Sequence, residues 1–150
     1  MIGRRQTGVT LVELVAVLTL MATLAVAFGP RLFERAALDA RALSDAAADL
    51  LRLAQRQAMA RGQPVLVHVT AHRLELCPQS GCGAGPLRDA AGEPLRVDAP
   101  DGLLLSLTGA PLSFSAQGRP SAPAELEVSA TAGSRRIRID GVTGLVRPHV

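Results

Sequence analysis

A chain of 150 residues, 48% of them apolar, has room for one small core. Its 16 basic residues are all arginine and, against 13 acids, leave a net charge of only +3, which excludes a generally basic nucleic-acid-binding chain and confines any such role to a local patch. Three Phe with no Trp and no Tyr exclude a base-stacking platform, and the wealth of Ala and Arg reads as the codon bias of a GC-rich genome.

The first element is a basic leader followed by an apolar run. Arg4-Arg5-Gln6-Thr7-Gly8 precede Val9-Thr10-Leu11-Val12-Glu13-Leu14, and the chain then continues uncharged to Phe28. Some twenty residues at ~1.5 Å rise just cover a ~30 Å hydrocarbon core. A carboxylate inside it costs about 2.5–3.5 kcal/mol on insertion scales, so Glu13 requires a partner. A plain single-pass anchor leaves that acid without one. A secretory signal peptide exiting at Ala25-Val26-Ala27 has an apolar core of about 7–15 residues, shorter than this one. Arg4 and Arg5 hold the amino terminus in the cytoplasm, so the rest of the chain is exported.

The glycine, the hydrophobic-Thr-Leu-Val-Glu-Leu run and the Pro30 just past the span resemble the class III leader of type IV pilins and type II secretion pseudopilins. The resemblance implies that a prepilin peptidase cuts between Gly8 and Val9 and methylates the new amino terminus, where the family prefers Phe and this chain has Val9. It also implies that Glu13 directs assembly, its charge met by the free ammonium on Val9 of a neighbouring subunit. Residues 1–8 are then the leader and 9–29 the transmembrane and assembly helix.

Past Pro30, the expected place for a kink or local melting, the pattern stays helical over residues 30–62. Ala36, Ala40, Leu43, Ala47, Leu50, Ala54 and Ala58 recur at spacings of four and three, drawing one apolar stripe that Leu51 and Met59 widen. Gly62 is placed as a left-handed terminal cap, and Pro64 blocks continuation. From residue 63 the period changes to two. Val65, Val67 and Val69 share one strand face, and Leu66, His68 and Thr70 the other. Leu74-Glu75-Leu76 reads as a second strand and 78–100 as loops with one short strand. Further strands are expected at 103–107, 112–115, 125–130, 135–140 and 145–147, with turns at Gly133-Ser134 and at 141–144. The class is therefore α+β: a long helix, apolar in its first half and amphipathic in its second, packed on a small antiparallel β domain spanning 63–150.

Two later stretches narrow the resemblance. The segment from Leu50 through Ala54-Gln55-Arg56 to Arg61-Gly62-Gln63-Pro64-Val65 is similar to the helix end of GspH/FimT-type minor pilins. So is Phe114-Ser115-Ala116-Gln117-Gly118-Arg119-Pro120, followed by a closing hairpin from Arg136-Ile137-Arg138-Ile139 to Gly144-Leu145-Val146-Arg147. Members have a long helix against two β-sheets. The resemblance implies a minor pseudopilin of a type II secretion system, anchored in the bacterial inner membrane with its β domain in the periplasm. Its partners would be the other pseudopilins, the prepilin peptidase, the inner-membrane assembly platform and exported proteins. The alternative is a FimT-like minor pilin of a type IV pilus that binds incoming DNA.

Little here points to chemistry. His68 lies on a polar strand face, His72 at a turn and His149 beside the end, without a Ser/His/Asp set or a phosphate-cradling loop. No catalysis, cofactor or metal is expected. Cys77 and Cys82, the only cysteines, are expected to form a structural disulfide in an exported domain, worth about 2 kcal/mol for so short a loop. Zinc needs more ligands than this pair offers, and a redox motif prefers two intervening residues. Arg136 and Arg138 share a strand face and the hairpin return brings Arg147 near, a trio able to bind phosphates. Asp140 and Glu127 stand close enough in sequence to balance it.

Overall fold

A computed structural model describes residues 10–109, 111–130 and 133–149, with side chains described throughout except at 25–35. The chain divides into two units, residues 1–35 and 36–150. Gly8 and Val9 lie outside the described residues.

Helix α1 (Leu11–Arg61) opens at Thr10, whose hydroxyl accepts the Glu13 N–H at 3.3 Å while its carbonyl accepts the Leu14 N–H at 3.1 Å. Thr10 thus serves as the N-cap and Glu13 stands three residues on, where a carboxylate also faces the positive end of the helix dipole. Thr19 and Thr23 return their hydroxyls to helix carbonyls at Ala16 and Leu20. Pro30 lies within α1.

In the second unit α1 buries Ala40, Leu43, Ala47, Leu50, Ala54 and Ala58, six of the seven residues of the stripe read from the spacing, together with Leu51, and leaves Ala36 half-buried at its start. Ser44 and Ala48, absent from that reading, are buried beside them, whereas Met59 is 48% exposed. Met59 fails to widen the stripe because it sits over Gly118 at the margin of the core. The helix stops as expected. Gly62 adopts φ +62°, its N–H donates to Met59 O at 3.3 Å, and the Gln63 N–H donates to Ala58 O at 3.3 Å. This pair of bonds is the Schellman closure.

Among the described residues eight strands follow: β1 (Val65–Thr70), β2 (Arg73–Pro78), β3 (Arg96–Asp98), β4 (Leu103–Thr108), β5 (Leu112–Phe114), β6 (Ala124–Ala130), β7 (Gly133–Ile139) and β8 (Val146–His149). They form two antiparallel four-stranded sheets ordered β3-β2-β1-β5 and β4-β6-β7-β8. Gly133 and Ser134 depart from the expected turn: they belong to β7 and pair with Ala130 and Ser129. Glycine's lack of a side chain suggested a turn, but ladder pairing in the middle sheet position overrides that preference.

Alternation sorts β1, β4, β5, β6 and β7. Val65, Val67, Leu74, Leu76, Leu112 and Phe114 from the first sheet, and Leu103, Leu105, Leu126, Val128, Ile137, Ile139 and Val146 from the second, bury against the α1 stripe in one core. Phe114 is the largest fully buried side chain described. Because these faces point inward, the two outer faces of the sheets carry the polar and charged residues.

Candidate functional surfaces

Residues 10–24 of the amino-terminal unit present an apolar surface with one charge. Nine large apolar side chains between Leu11 and Leu24 are exposed, Leu11 at 79% and Met21 at 63% among them. With the hydroxyls of Thr19 and Thr23 returned to the backbone, Glu13 is the one ionisable side chain in residues 10–24. Among the described residues no helix is long and apolar enough to cross a membrane.

A second place joins the segments that carried the subfamily resemblance. Gln55, on α1, donates through Nε2 to Gly118 O at 2.9 Å and to Thr143 O at 3.0 Å. Both partners are carbonyls, so the amide nitrogen must face them. Gly118 (φ +76°) and Gly144 (φ +70°) allow the approach: a Cβ on Gly144 would stand 2.7 Å from Gln55 Nε2 and 2.8 Å from Gly118 O. The 140–145 loop is itself set by Asp140, whose Oδ1 accepts from the N–H groups of Val142 and Thr143 and from the Thr143 hydroxyl. These bonds, the Thr143 backbone N–H foremost, hold the Asp140 carboxyl below the usual carboxylate range. The helix end, the Phe114–Pro120 stretch and the closing hairpin thus meet at one side chain. Sequence reading matched all three stretches and missed that Gln55 clamps them, since nothing in the local pattern marks an amide for contacts 63 and 88 residues away.

The outer face of the second sheet collects the three arginines. Arg138 stands opposite Arg147 across β7 and β8, and Arg136 lies two residues along β7 opposite His149. The same face also carries Glu125 and Glu127 of β6. Arg136 Nε lies 3.5 Å from Glu125 and 3.7 Å from Glu127, and Arg138 Nη2 3.6 Å from Glu125. Asp140 accepts its hydrogen bonds from its own loop, yet it lies near enough to Arg147 for that charge to help lower its pKa, so it joins the β6 pair in balancing the arginines. Arg147 has no carboxylate within salt-bridge distance among the described residues.

The outer face of the first sheet holds the cysteines. Cys77 and Cys82 are disulfide-bonded with Cα atoms 5.1 Å apart. Cys77 is fully buried under the loop that Cys82 begins as a short 3-10 turn (Cys82–Ala84). On the same face β1 sets His68 opposite Glu75 of β2, with His68 Nδ1 3.1 Å from Glu75 Oε1. Farther along, Asp98 bonds Arg73 and lies 3.3 Å from Arg96, and the Arg73 hydrogen bond is the main cause that lowers the Asp98 pKa. The hairpin register that pairs His68 with Glu75 follows from the two-residue turn at Ala71-His72, a signal present in the sequence.

Comparison with known proteins then places the chain. A family model described as type II transport protein GspH matches residues 44–143. The type IV minor pilin FimU of Pseudomonas aeruginosa shares the fold at a TM-score of 0.59 and 18% identity, covering 73% of this chain and 87% of that one. The minor pseudopilin EpsH of the Vibrio cholerae type II secretion system superposes at 0.56 and 18% identity, covering 77% and 96%. Escherichia coli GspH does so at 0.57 and 19% identity, covering 75% and 89%. No curated protein matches in sequence.

Proposed function

We propose that this chain, which belongs to the GspH family of type II transport proteins, is a minor pseudopilin, a structural subunit of the periplasmic pseudopilus that drives protein export across the outer membrane. The observation that carries the reading is the family match over residues 44–143, which takes in the second half of α1 and every strand up to the closing hairpin. On this reading residues 9–29 cross the inner membrane with the amino terminus in the cytoplasm, and the β domain stands in the periplasm. The prepilin peptidase removes residues 1–8 at Gly8 and methylates Val9. Pro30, inside the unbroken α1, bends the helix where it leaves the bilayer without melting it. No catalysis is assigned to the chain, which is itself the peptidase's substrate.

Assembly then follows from the physics of the apolar unit. Its exposed side chains gain nothing from one another in lipid, where tails are equally apolar. A buried carboxylate is costly unless paired. The Val9 ammonium of a neighbouring subunit neutralises Glu13, so the span is best accommodated inside a bundle of such helices.

Co-expression of the full chain with the other pseudopilins tests this. The wild type is expected to begin at Val9 on amino-terminal sequencing and to co-purify with them. Glu13→Ala is expected to be cleaved and inserted yet lost from the assembly. A mature protein beginning at Phe28, or a Glu13→Ala chain that assembles normally, overturns the reading.

A second reading rests on Arg136, Arg138 and Arg147 sharing one sheet face: a type IV pilus subunit that binds DNA. Glu125 and Glu127 on that face weaken its field, which is why the secretion reading is preferred. Salt-dependent DNA binding lost on changing the three arginines to Ala would reverse that preference.

A further inference from the structure

The disulfide face of the first sheet holds a donor set that the cysteine spacing alone does not reveal. One ligand atom each from His68, Glu75 and Cys82 lies within 4.8 Å of the others, and Cys77 adjoins them through its bond to Cys82. In the oxidised chain neither sulfur is a thiolate, so only an imidazole and a carboxylate remain, too few to hold a cation tightly. Reduction changes the inventory to two thiolates, one imidazole and one carboxylate. Four N, S and O donors of this kind are what tetrahedral zinc takes, at metal–ligand distances of about 2.0–2.3 Å. The 4.8 Å within which His68, Glu75 and Cys82 lie is about 1 Å beyond the ~3.5–4 Å edge of such a tetrahedron, and Cys77 stands outside that group but next to Cys82.

We infer that the reduced chain binds one thiophilic divalent cation of the zinc class through Cys77, Cys82, His68 and Glu75. The 77–82 loop is then closed by a sulfur–sulfur bond in the oxidised chain and by a metal in the reduced one. The steps balance. The disulfide takes two electrons and two protons from a dithiol, which leaves as a disulfide, and metal capture releases the two thiol protons to solvent. The pre-set elements favour capture. His68 and Glu75 are already paired across β1 and β2 at 3.1 Å, and Glu75 is mostly buried, with its side chain 14% exposed. Arg96 stands opposite Glu75 on β3 and Arg73 two residues from it, but Asp98 engages both.

The test is a Co²⁺ titration of the full chain in detergent, with and without a thiol reductant, followed by displacement with Zn²⁺. The reduced chain is expected to take up one Co²⁺ with thiolate charge-transfer and tetrahedral d–d absorption, and the oxidised chain to give neither. His68→Ala and Glu75→Gln, both at solvent-reached positions, are each expected to weaken uptake roughly tenfold or more. A second readout is the thermal midpoint, which Zn²⁺ is expected to raise in the reduced chain and leave unchanged in the oxidised one. Absence of the tetrahedral spectrum on reduction overturns the inference. So does a spectrum that survives in His68→Ala and Glu75→Gln, or in the double variant Cys77→Ser, Cys82→Ser, and so does a midpoint that Zn²⁺ leaves unmoved in the reduced chain.

Discussion

Gln55 and Asp140 are single residues whose side chains hold backbone that has no ladder to hold it. Removing the Gln55 amide strands the carbonyls of Gly118 and Thr143 at a partly buried junction, so Gln55→Ala should cost about 1–3 kcal/mol. A urea denaturation midpoint checks this. Asp140 makes a pH-dependent contribution. Its folded-state pKa lies below the ordinary carboxylate value, so the unfolded chain binds the proton more readily. The stability it supplies is therefore fully present above about pH 4 and is lost as pH falls through the lowered value. Amide exchange at Val142 and Thr143 should accelerate over that acid range in the wild type and be fast throughout in Asp140→Ala. Glu13 is the opposite kind of residue: an exposed acid at the first turn of α1, whose proposed partner belongs to another subunit.

At the scale of elements, the second half of α1 is a helix whose packing face is made largely of alanine. Ala47, Ala54 and Ala58 are completely buried, in the same core as Phe114 and the inner strand faces. Filling that space should hurt as much as emptying the far side. Ala54→Leu should destabilise by about 1–3 kcal/mol through overpacking and Phe114→Ala by about 3–5 kcal/mol through the cavity left behind, both read from chemical denaturation. The longer strands were legible from their period of two because they have one buried face, as in β6, where Ala124, Leu126 and Val128 are buried and the residues between them are not. Gly133 and Ser134 were misread because a glycine scores as a turn wherever it falls, and only the partner strand β6 decides that it is paired. Met59 was misread because helical spacing gives a side chain's direction without saying where the opposing sheet ends.

For the whole molecule, every buried side chain described lies at Ala40 or later, within the unit of residues 36–150. A fragment of residues 36–150 should therefore fold alone and keep the urea midpoint of the full chain; a lower midpoint would mean that the first unit contributes to the core. The candidate surfaces divide in the same way. The proposal for the amino-terminal motif rests on local chain properties alone, a glycine, an apolar run and one acid, because the peptidase and the lipid phase it invokes would both act on just those. The β domain's fold class was readable because burial on one face imposes periodicity on each strand. Tertiary structure decided the rest, since pairing between strands is set by register and not by any one segment's composition. It alone added Glu125 to the Glu127 already expected beside the arginines, drew three distant stretches to Gln55, and placed His68 and Glu75 beside a disulfide that in sequence stands alone.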